Sequence, residues 1–127
     1  MITGTITHLR PQIRLNVRGP GGGGIIEFTV DTGYQGTLTL AEDDCAVLQL
    51  PFVRATTFLL ADGTPLERNV YRLTTEWDSR ERDVEILALG EEPLLGATML
   101  KGYELCLNYE TDTLTIKDAQ QCKGAIG

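Results

Sequence analysis

The tripeptide Asp31-Thr32-Gly33 constrains this chain more than any other feature, because of the segments that flank it. Apolar and polar residues alternate in the preceding segment, IIEFTV, with the period of a half-buried strand. The following segment, TLTL, is extended in character as well. The sequence therefore predicts a carboxylate held in a tight loop between two strands. A carboxylate in a fixed position is suited to acid–base chemistry.

The two residues after the aspartate suit such a loop. The Thr32 hydroxyl can both donate and accept a hydrogen bond, and Gly33 is expected to adopt a backbone conformation that a residue with a Cβ atom resists. The tripeptide alone is weak support for a site, because all three residues are common. A second motif, Leu94-Leu95-Gly96, strengthens it: a proline precedes this motif and a short helix-like segment, ATMLKG, follows it.

Together the two motifs resemble those of the retropepsin clan of aspartic proteases, which includes the retroviral proteases. The resemblance extends over residues 12–116, and the long amino-terminal hairpin is more similar to bacterial and archaeal single-domain members than to viral ones. It implies an all-β, barrel-like acid-protease fold with one or two short helices and a flap hairpin, active as a two-fold homodimer. It also implies the site residues: catalytic Asp31, Thr32 and Gly33 supporting its loop, and Leu94, Leu95 and Gly96 packed beneath it.

The pattern of strands contains a candidate for the flap. Residues 52–60 and 66–77 are extended runs, and the Asp-Gly pair in the intervening segment, ADGTP, is a strong hairpin signal. Because this hairpin lies between the two motifs, where the family has its flap, Ala61, Asp62 and Gly63 are expected to cover the substrate cleft. An ordinary surface hairpin is the alternative, and the Asp-Gly tip differs from the multi-glycine tip of the retroviral enzymes.

Tyr34 departs from the family pattern. It stands where the retroviral enzymes usually have a small residue after the glycine. Its side chain is a candidate for the substrate cleft, or it packs beside the cleft; the sequence does not separate the two. The retroviral enzymes also tie their dimer with interleaved terminal strands. The two ends of this chain are the segment ITGTITHL and a polar segment, so its dimer interface can differ from that of the retroviral enzymes.

The remaining elements follow from helix and turn signals. The sequence predicts a short helix at residues 41–50, with acidic residues in the first turn where the helix dipole favours them. It predicts a flexible hairpin tip at the glycine-rich residues 19–24 and a solvated loop at the charged residues 78–82. A final hairpin and a loose tail are predicted at residues 103–109, 113–117 and 118–127.

Composition limits the class of protein and its partners. With 42% hydrophobic and 23% charged residues, the chain is expected to form one globular domain, residues 1–127. The net charge of −7 argues against nucleic acid or an anionic membrane as the main partner. No apolar run has the length of a membrane span, the start lacks signal-peptide character and the three cysteines show no paired spacing, so a cytoplasmic location is expected.

Neither a metal site nor a cofactor is expected. Cys45 and Cys106 are predicted to be buried apolar residues, and Cys122 lies in the tail. His8, the single histidine, is expected at the surface or in a strand. Zinc coordination is therefore improbable, and serine–histidine or cysteine–histidine catalysis has only one candidate base.

One catalytic aspartate per chain implies two chains. In the chemistry of the family two carboxylates share one proton, because like charges in contact do not both ionise cheaply. This sequence has one Asp-Thr-Gly, since Asp112 lacks the glycine and Asp62 lacks the hydroxyl residue. The resemblance implies that Asp31 meets Asp31 of a second copy at a two-fold axis. Thr32 would bond across that axis, and Gly33 would leave room for the shared water.

Three functions are compatible with these features. The first is a homodimeric aspartic endopeptidase acting on extended peptides or proteins, which a cleft under a hairpin can bind as an added strand. The second is a non-catalytic homodimeric peptide-binding module of the same fold, which would keep its peptide affinity after Asp31→Asn. The third is an unrelated, monomeric β-barrel in which the tripeptide makes a turn and Asp31→Ala is tolerated.

Overall fold

The computed structural model describes residues 1–120, and within them the chain forms ten strands and two short helices. The helices are α1 (Glu42–Val47) and α2 (Ala97–Leu100). The strands are β1 (Ile2–Thr7), β2 (Arg10–Gly19), β3 (Gly22–Val30), β4 (Thr39–Leu40), β5 (Phe52–Leu59), β6 (Pro65–Trp77), β7 (Arg80–Ala88), β8 (Leu94–Leu95), β9 (Tyr103–Asn108) and β10 (Thr113–Asp118). The predicted all-β class is confirmed.

All ten strands belong to one sheet. Its path runs β4-β7-β6-β2-β1-β10-β9, while β3 pairs with β2 and β8, and β5 pairs with β6. Most neighbouring strands are antiparallel, but β3–β8 and β4–β7 are parallel pairs that join segments far apart in the sequence. The path has two ends, so the barrel-like arrangement is an open sheet curved around its core.

The alternation of apolar and polar residues explains the long strands. In β2 every second side chain is buried, namely Ile13, Leu15 and Val17, and the residues between them are exposed. In β3, Phe28 and Val30 are buried in the same core. Burying an apolar side chain of this size contributes about 1.5–3 kcal/mol. The core therefore lies against β3, the strand that leads into the Asp31 loop.

Two predicted loops are shorter than expected. Only residues 20–21 turn the chain between β2 and β3, because Gly22 already pairs with Gly19 and the glycines after it continue the strand. Likewise, Asp78 and Ser79 alone turn the chain between β6 and β7, both with positive φ, as a type I′ hairpin turn requires. The predictions of a hairpin tip at residues 19–24 and a solvated loop at residues 78–82 were therefore too wide.

The helix α1 is also shorter than residues 41–50. Three acidic residues occupy its first turn as predicted, but the helix ends at Val47 and Gln49 has a positive φ. The chain therefore leaves the helix before Pro51. At the other end, the predicted loose tail is wrong for its first three residues, because Asp118 belongs to β10 and residues 119–120 have a helical backbone conformation; residues 121–127 lie outside the described part.

The cysteines and the histidine follow the predictions only in part. Cys45 is buried in α1, as predicted, whereas Cys106 is exposed on β9 and the prediction of burial was wrong. The residues of β9 alternate, and Cys106 lies on the face away from the core. His8 is exposed in the turn between β1 and β2, and Cys122 lies outside the described residues.

Across residues 1–120, no helix combines the length and the apolar character needed to cross a membrane.

Candidate active site

The loop that carries Asp31 starts where β3 ends. The Asp31 backbone N–H donates a hydrogen bond of 2.9 Å to the Leu95 carbonyl oxygen. This bond continues the parallel pairing of β3 with β8, in which Val30 lies opposite Leu95. The structure thus places the second motif directly beside the first, although Leu95 lies 62 positions after Gly33 in the sequence.

Hydrogen bonds within the loop orient the Asp31 carboxylate. The Gly33 N–H donates to Asp31 Oδ1 at 2.9 Å, and the Tyr34 N–H donates to the Asp31 carbonyl oxygen at 3.1 Å. The Asp31 residue is half-buried, while Thr32 is exposed. The carboxylate is therefore held by its own loop and still reaches the surface.

The structure explains the glycine at position 33 by the space it leaves beside Asp31, and not by its backbone conformation. Its φ is not positive, unlike that of Gly63 and Gly102, so the expectation of a special backbone conformation was wrong. A Cβ atom built on Gly33 would lie 3.2 Å from Asp31 Oδ1, which is tighter than an ordinary van der Waals contact. The missing side chain keeps the space next to the carboxylate open.

Tyr34 packs beneath the loop. A Cβ atom on Gly36 would collide with the Tyr34 hydroxyl, and one on Gly96 would lie 2.6 Å from Tyr34 Cδ2 and collide with the Gly36 carbonyl oxygen. Burial of the Tyr34 ring raises the pKa of its phenol. The ring thus rests on two glycines, and Tyr34 does not line the cavity beside Asp31.

The second motif closes the loop from below through backbone hydrogen bonds. The Gly96 N–H donates to the Thr37 carbonyl oxygen and the Ala97 N–H donates to the Tyr34 carbonyl oxygen, each at 2.7 Å. The Leu95 side chain is fully buried. The structure therefore brings Leu95 and Gly96 beneath the loop. Leu94, the other residue of β8, is only partly buried and lies closer to the surface.

Two threonines that the sequence did not single out also hold the loop. Thr39 is fully buried, and its Oγ1 accepts a hydrogen bond of 3.0 Å from the Leu94 N–H. The Thr98 hydroxyl donates to the Gln35 carbonyl oxygen. A buried threonine within the segment TLTL looks like any other strand residue in sequence, so only the packing identifies it.

A cavity of about 460 Å³ opens beside Asp31. We call it the β9 groove; it is lined chiefly by Pro11, Asp31, Leu94, Leu105, Leu107 and Tyr109. A cavity of the same volume lies beside the middle of the β5–β6 hairpin, lined by residues such as Glu42, Arg68 and Gly90. None of the residues lining that second cavity belongs to the Asp31 loop, so volume alone does not identify the site.

The β5–β6 hairpin occupies the position expected of a flap in the sequence, and its tip is a tight turn. The Gly63 N–H donates to the Leu60 carbonyl oxygen at 2.9 Å, and Gly63 has a φ of +85°. Hydrogen bonds from Thr64 hold the pKa of Asp62 below its usual range. Ala61, Asp62 and Gly63 are exposed and do not line the β9 groove.

No group of three or more histidine, cysteine, aspartate or glutamate side chains within residues 1–120 is arranged to hold a metal ion.

The likeness of this chain to known proteins is one of structure rather than of sequence. The sequence matches no protein-family model, and no curated protein matches it either. Among solved structures, the chain is similar to a retropepsin-like aspartic protease from Rickettsia conorii, with a TM-score of 0.57 and 18% identity over 92% of this chain and 88% of that one. It also matches the protease of simian foamy virus (mac), with a TM-score of 0.47 and 21% identity over 69% of this chain and 91% of that one.

At 18% identity, the likeness to the Rickettsia structure establishes the fold and nothing finer. The fold that the two motifs predicted is confirmed in its main parts by this likeness, and the strand before the Asp31 loop pairs with Leu94 and Leu95. The chain has the retropepsin-like fold.

Proposed function

We propose that this protein is an aspartic endopeptidase that hydrolyses peptide bonds in extended peptides or proteins. The observation that carries the proposal is the Asp31 carboxylate, which its own loop orients at the surface of a retropepsin-like fold. Two Asp31 residues, one from each of two chains, form the catalytic dyad.

The second carboxylate comes from a second chain because residues 1–120 of the first chain offer no suitable partner. Asp31 shares the β9 groove with one other carboxylate, Glu92. Glu92 already has a cationic partner, because one of its carboxylate oxygens forms an ion pair with Arg10. It is therefore a poor group to share a proton with Asp31, whereas a symmetry-related Asp31 has the same loop and the same orientation.

The dyad works by dividing two roles between chemically identical groups. Like charges in contact do not both ionise cheaply, so one Asp31 carboxylate is protonated while the other is charged. The charged carboxylate takes a proton from a water molecule, which attacks the scissile carbonyl carbon. The protonated carboxyl group donates a hydrogen bond to the oxyanion that develops. The open space at Gly33 leaves room for this water.

The β5–β6 hairpin serves as the flap. Leu59 and Leu60 at its tip are 70% and 44% exposed, so apolar side chains project from the end of the hairpin. Exposed apolar groups are well placed to contact a substrate or the second subunit when the hairpin closes. An extended peptide between hairpin and catalytic loops would be bound chiefly through its backbone.

The test is a digest of a mixed peptide library between mildly acidic and neutral pH, comparing the wild type with Asp31→Asn. Asparagine retains the oxygen that accepts the Gly33 N–H, so the loop should keep its shape while the dyad is lost. We expect new peptides from the wild type only, and inhibition by a statine-type transition-state mimic.

The matched control is Asp112→Asn, the same chemical change at an exposed turn residue. This variant should cleave like the wild type. Identical peptide profiles from the wild type and Asp31→Asn would rule out the proposed enzyme. Binding of peptides by both proteins without cleavage by either would indicate a peptide-binding module instead.

A further inference from the structure

We propose that the cavity beside the β5–β6 hairpin is a regulatory site that binds a small organic dication of the polyamine type. We call it the hairpin cavity; it is lined chiefly by Glu42, Glu67, Asn69, Ala88, Leu89 and Gly90. Binding itself needs no catalysis. The effect of the ligand on activity rests on the proposed function, because it requires a hairpin that closes over a substrate.

The hairpin cavity lies where the β5–β6 hairpin leaves the rest of the sheet. The pairing of β6 with β7 ends at Val70, which lies opposite Leu87. Within residues 1–120, the part of β6 from residue 65 to residue 69 is paired with β5 alone. Strand β7 continues instead along β4, through the pairing of Ala88 with Leu40. The two strands therefore diverge, and the cavity occupies the fork between them.

Two carboxylates line the cavity from different parts of the molecule. Glu67 belongs to the hairpin, and Glu42 belongs to the first turn of α1. The Tyr71 hydroxyl donates a hydrogen bond to Glu42 Oε1 and accepts one of 3.4 Å from Asn69 Nδ2, so this face of β6 is turned toward α1. Side chains alternate along a strand, which places Glu67 on the same face and Arg68 on the opposite one.

The carboxylates of the hairpin cavity have no cationic partner within residues 1–120. Neither Glu42 nor Glu67 forms an ion pair there, unlike Glu85, which contacts two arginines. The guanidinium of Arg68, which also lines the cavity, donates to the carbonyl oxygen of Glu67 at 2.8 Å. A cation that enters the cavity is therefore attracted by both carboxylates and by the net charge of −7 of the whole chain.

The size and the walls of the cavity favour an organic cation over a metal ion. Its volume of about 460 Å³ falls in the range of roughly 300–1,000 Å³ that small-molecule sites have. Ala88 and Leu89 give it an apolar wall suited to an alkyl stem. Within residues 1–120, no group of three or more acidic, histidine or cysteine side chains is arranged to hold a metal. Carboxylates on two different walls suit a flexible stem with a positive charge at each end.

Such a ligand ties the hairpin to the body of the protein. Glu67 moves with the hairpin, whereas Glu42 is fixed to the body through α1, whose Cys45 is buried in the core. A ligand shifts a conformational equilibrium only as far as it binds one conformation better than the other. A dication that contacts both carboxylates loses one of these contacts when the hairpin moves. It therefore restrains the hairpin and slows turnover without occupying the β9 groove.

The test measures the binding of agmatine, an alkyl chain with an amine at one end and a guanidinium at the other, by isothermal titration calorimetry. The parent protein is Asp31→Asn, which lacks the dyad, so the readout does not depend on catalysis. Glu42→Gln and Glu67→Gln are each added to this parent. The matched control is Glu76→Gln, the same change at an exposed position of β6 outside the cavity. Butane-1,4-diol, which has the alkyl stem without the charges, is the control ligand.

We expect agmatine to bind the parent and the Glu76→Gln control alike. Each of the other two substitutions should raise the dissociation constant about three- to fivefold, the effect of losing one exposed ion pair. Binding should weaken as the salt concentration rises, and NMR chemical-shift changes should centre on Glu67, Asn69 and Gly90. In the wild-type enzyme, saturating agmatine should lower kcat for a peptide and leave KM nearly unchanged.

Glu67→Gln guards against misfolding, because Glu67 is exposed and lies outside the helices. Thermal unfolding verifies that each variant is folded before its binding is compared. Absence of agmatine binding to the parent would overturn the inference, as would a folded Glu67→Gln variant that binds as tightly as the parent, or butane-1,4-diol that binds as tightly as agmatine.

Activity measurements separate this inference from the proposed function. A wild-type enzyme that binds agmatine and cleaves peptides at an unchanged rate would overturn the regulatory role. Agmatine binding with the expected losses in Glu42→Gln and Glu67→Gln, in a protein that cleaves no peptides, would support the site and reject the proposed function.

Discussion

Gly96 sets how closely the two motifs approach each other. Its backbone N–H reaches the Thr37 carbonyl oxygen, and no side chain fits between it, Gly36 and the ring of Tyr34. The atoms that a new methyl group would meet include backbone oxygens, which belong to a loop held by several hydrogen bonds and cannot easily move aside.

We therefore predict that Gly96→Ala lowers the free energy of unfolding by about 2 kcal/mol, the middle of the range for overpacking a well-packed site. Urea denaturation measures the change. The control is Gly24→Ala in β3, where an added Cβ atom meets nothing within 4 Å and φ is not positive; its effect should stay within about 0.5 kcal/mol. Equal midpoints for Gly96→Ala and the wild type would contradict this packing.

At the residue scale, the sequence pointed to the important positions, but it did not always give the physical reason for the residue found there. It singled out Gly33 and Gly96: the backbone conformation expected of Gly33 is absent, whereas the close packing expected of Gly96 beneath the loop is present. It did not separate Cys45 from Cys106, since the exposure of a cysteine depends on which face of the element meets the core. Contacts between residues distant in the sequence decide such cases.

Cys45 supplies a prediction about pH. Burial, followed by the nearby Glu42 and Asp44 charges, raises the pKa of the Cys45 thiol from 9.0 to about 12. Between these two values the folded state keeps the proton that the unfolded state has lost, so stability falls as pH rises. Below the lower value the contribution is fully present.

We expect the free energy of unfolding to decline more steeply between pH 9 and about 12 in the wild type than in Cys45→Ala. Denaturation curves at several pH values measure the difference in slope, which cancels the contributions of other titrating groups. Parallel declines in the two proteins would show that the thiol does not contribute.

At the scale of elements, the β5–β6 hairpin matters most for function. Its tip depends on Gly63, whose φ of +85° costs a residue with a Cβ atom about 1 kcal/mol. Because the tip is exposed and nothing lies within 4 Å of a Cβ atom at Gly63, a substituted turn can rearrange locally without disturbing the core. The effect should therefore appear in substrate handling rather than in global stability.

We predict that Gly63→Ala lowers kcat/KM for a peptide substrate about fivefold, the equivalent of about 1 kcal/mol, while the midpoint of thermal unfolding changes little. Steady-state kinetics and thermal unfolding, run beside the Gly24→Ala control, provide the comparison. Unchanged kinetics would favour the alternative of an ordinary surface hairpin.

The elements also show what local patterns predict well. The hairpin of residues 52–77 was predicted within one residue at each strand end, because its strands alternate and an Asp-Gly pair marks the turn. The helix α1 was predicted one residue too long at its start and three at its end, since the apolar residues after Val47 remain buried in the core without being helical. Hydrophobic spacing alone does not distinguish a helix that continues from a buried segment that is no longer helical.

At the scale of the whole molecule, the arrangement of the site depends on one parallel pairing. The pairing of β3 with β8 joins the Asp31 loop to Leu95, and no local signal in the sequence predicts it. Only the resemblance of the two motifs to a known family indicated that they lie together. The β9 groove was not predicted, because its lining combines the Asp31 loop with residues in or next to β2, β3, β8 and β9.

The central claim is that two chains each supply one Asp31 to a single catalytic dyad. Wild-type chains are mixed with Asp31→Asn chains in varying proportions at fixed total concentration, subunits are allowed to exchange, and peptide cleavage is measured. Because only pairs of two wild-type chains have both carboxylates, we predict that activity falls with the square of the wild-type fraction, to about a quarter in an equal mixture. A linear fall, to half in the equal mixture, would mean that each chain acts alone and would contradict the account.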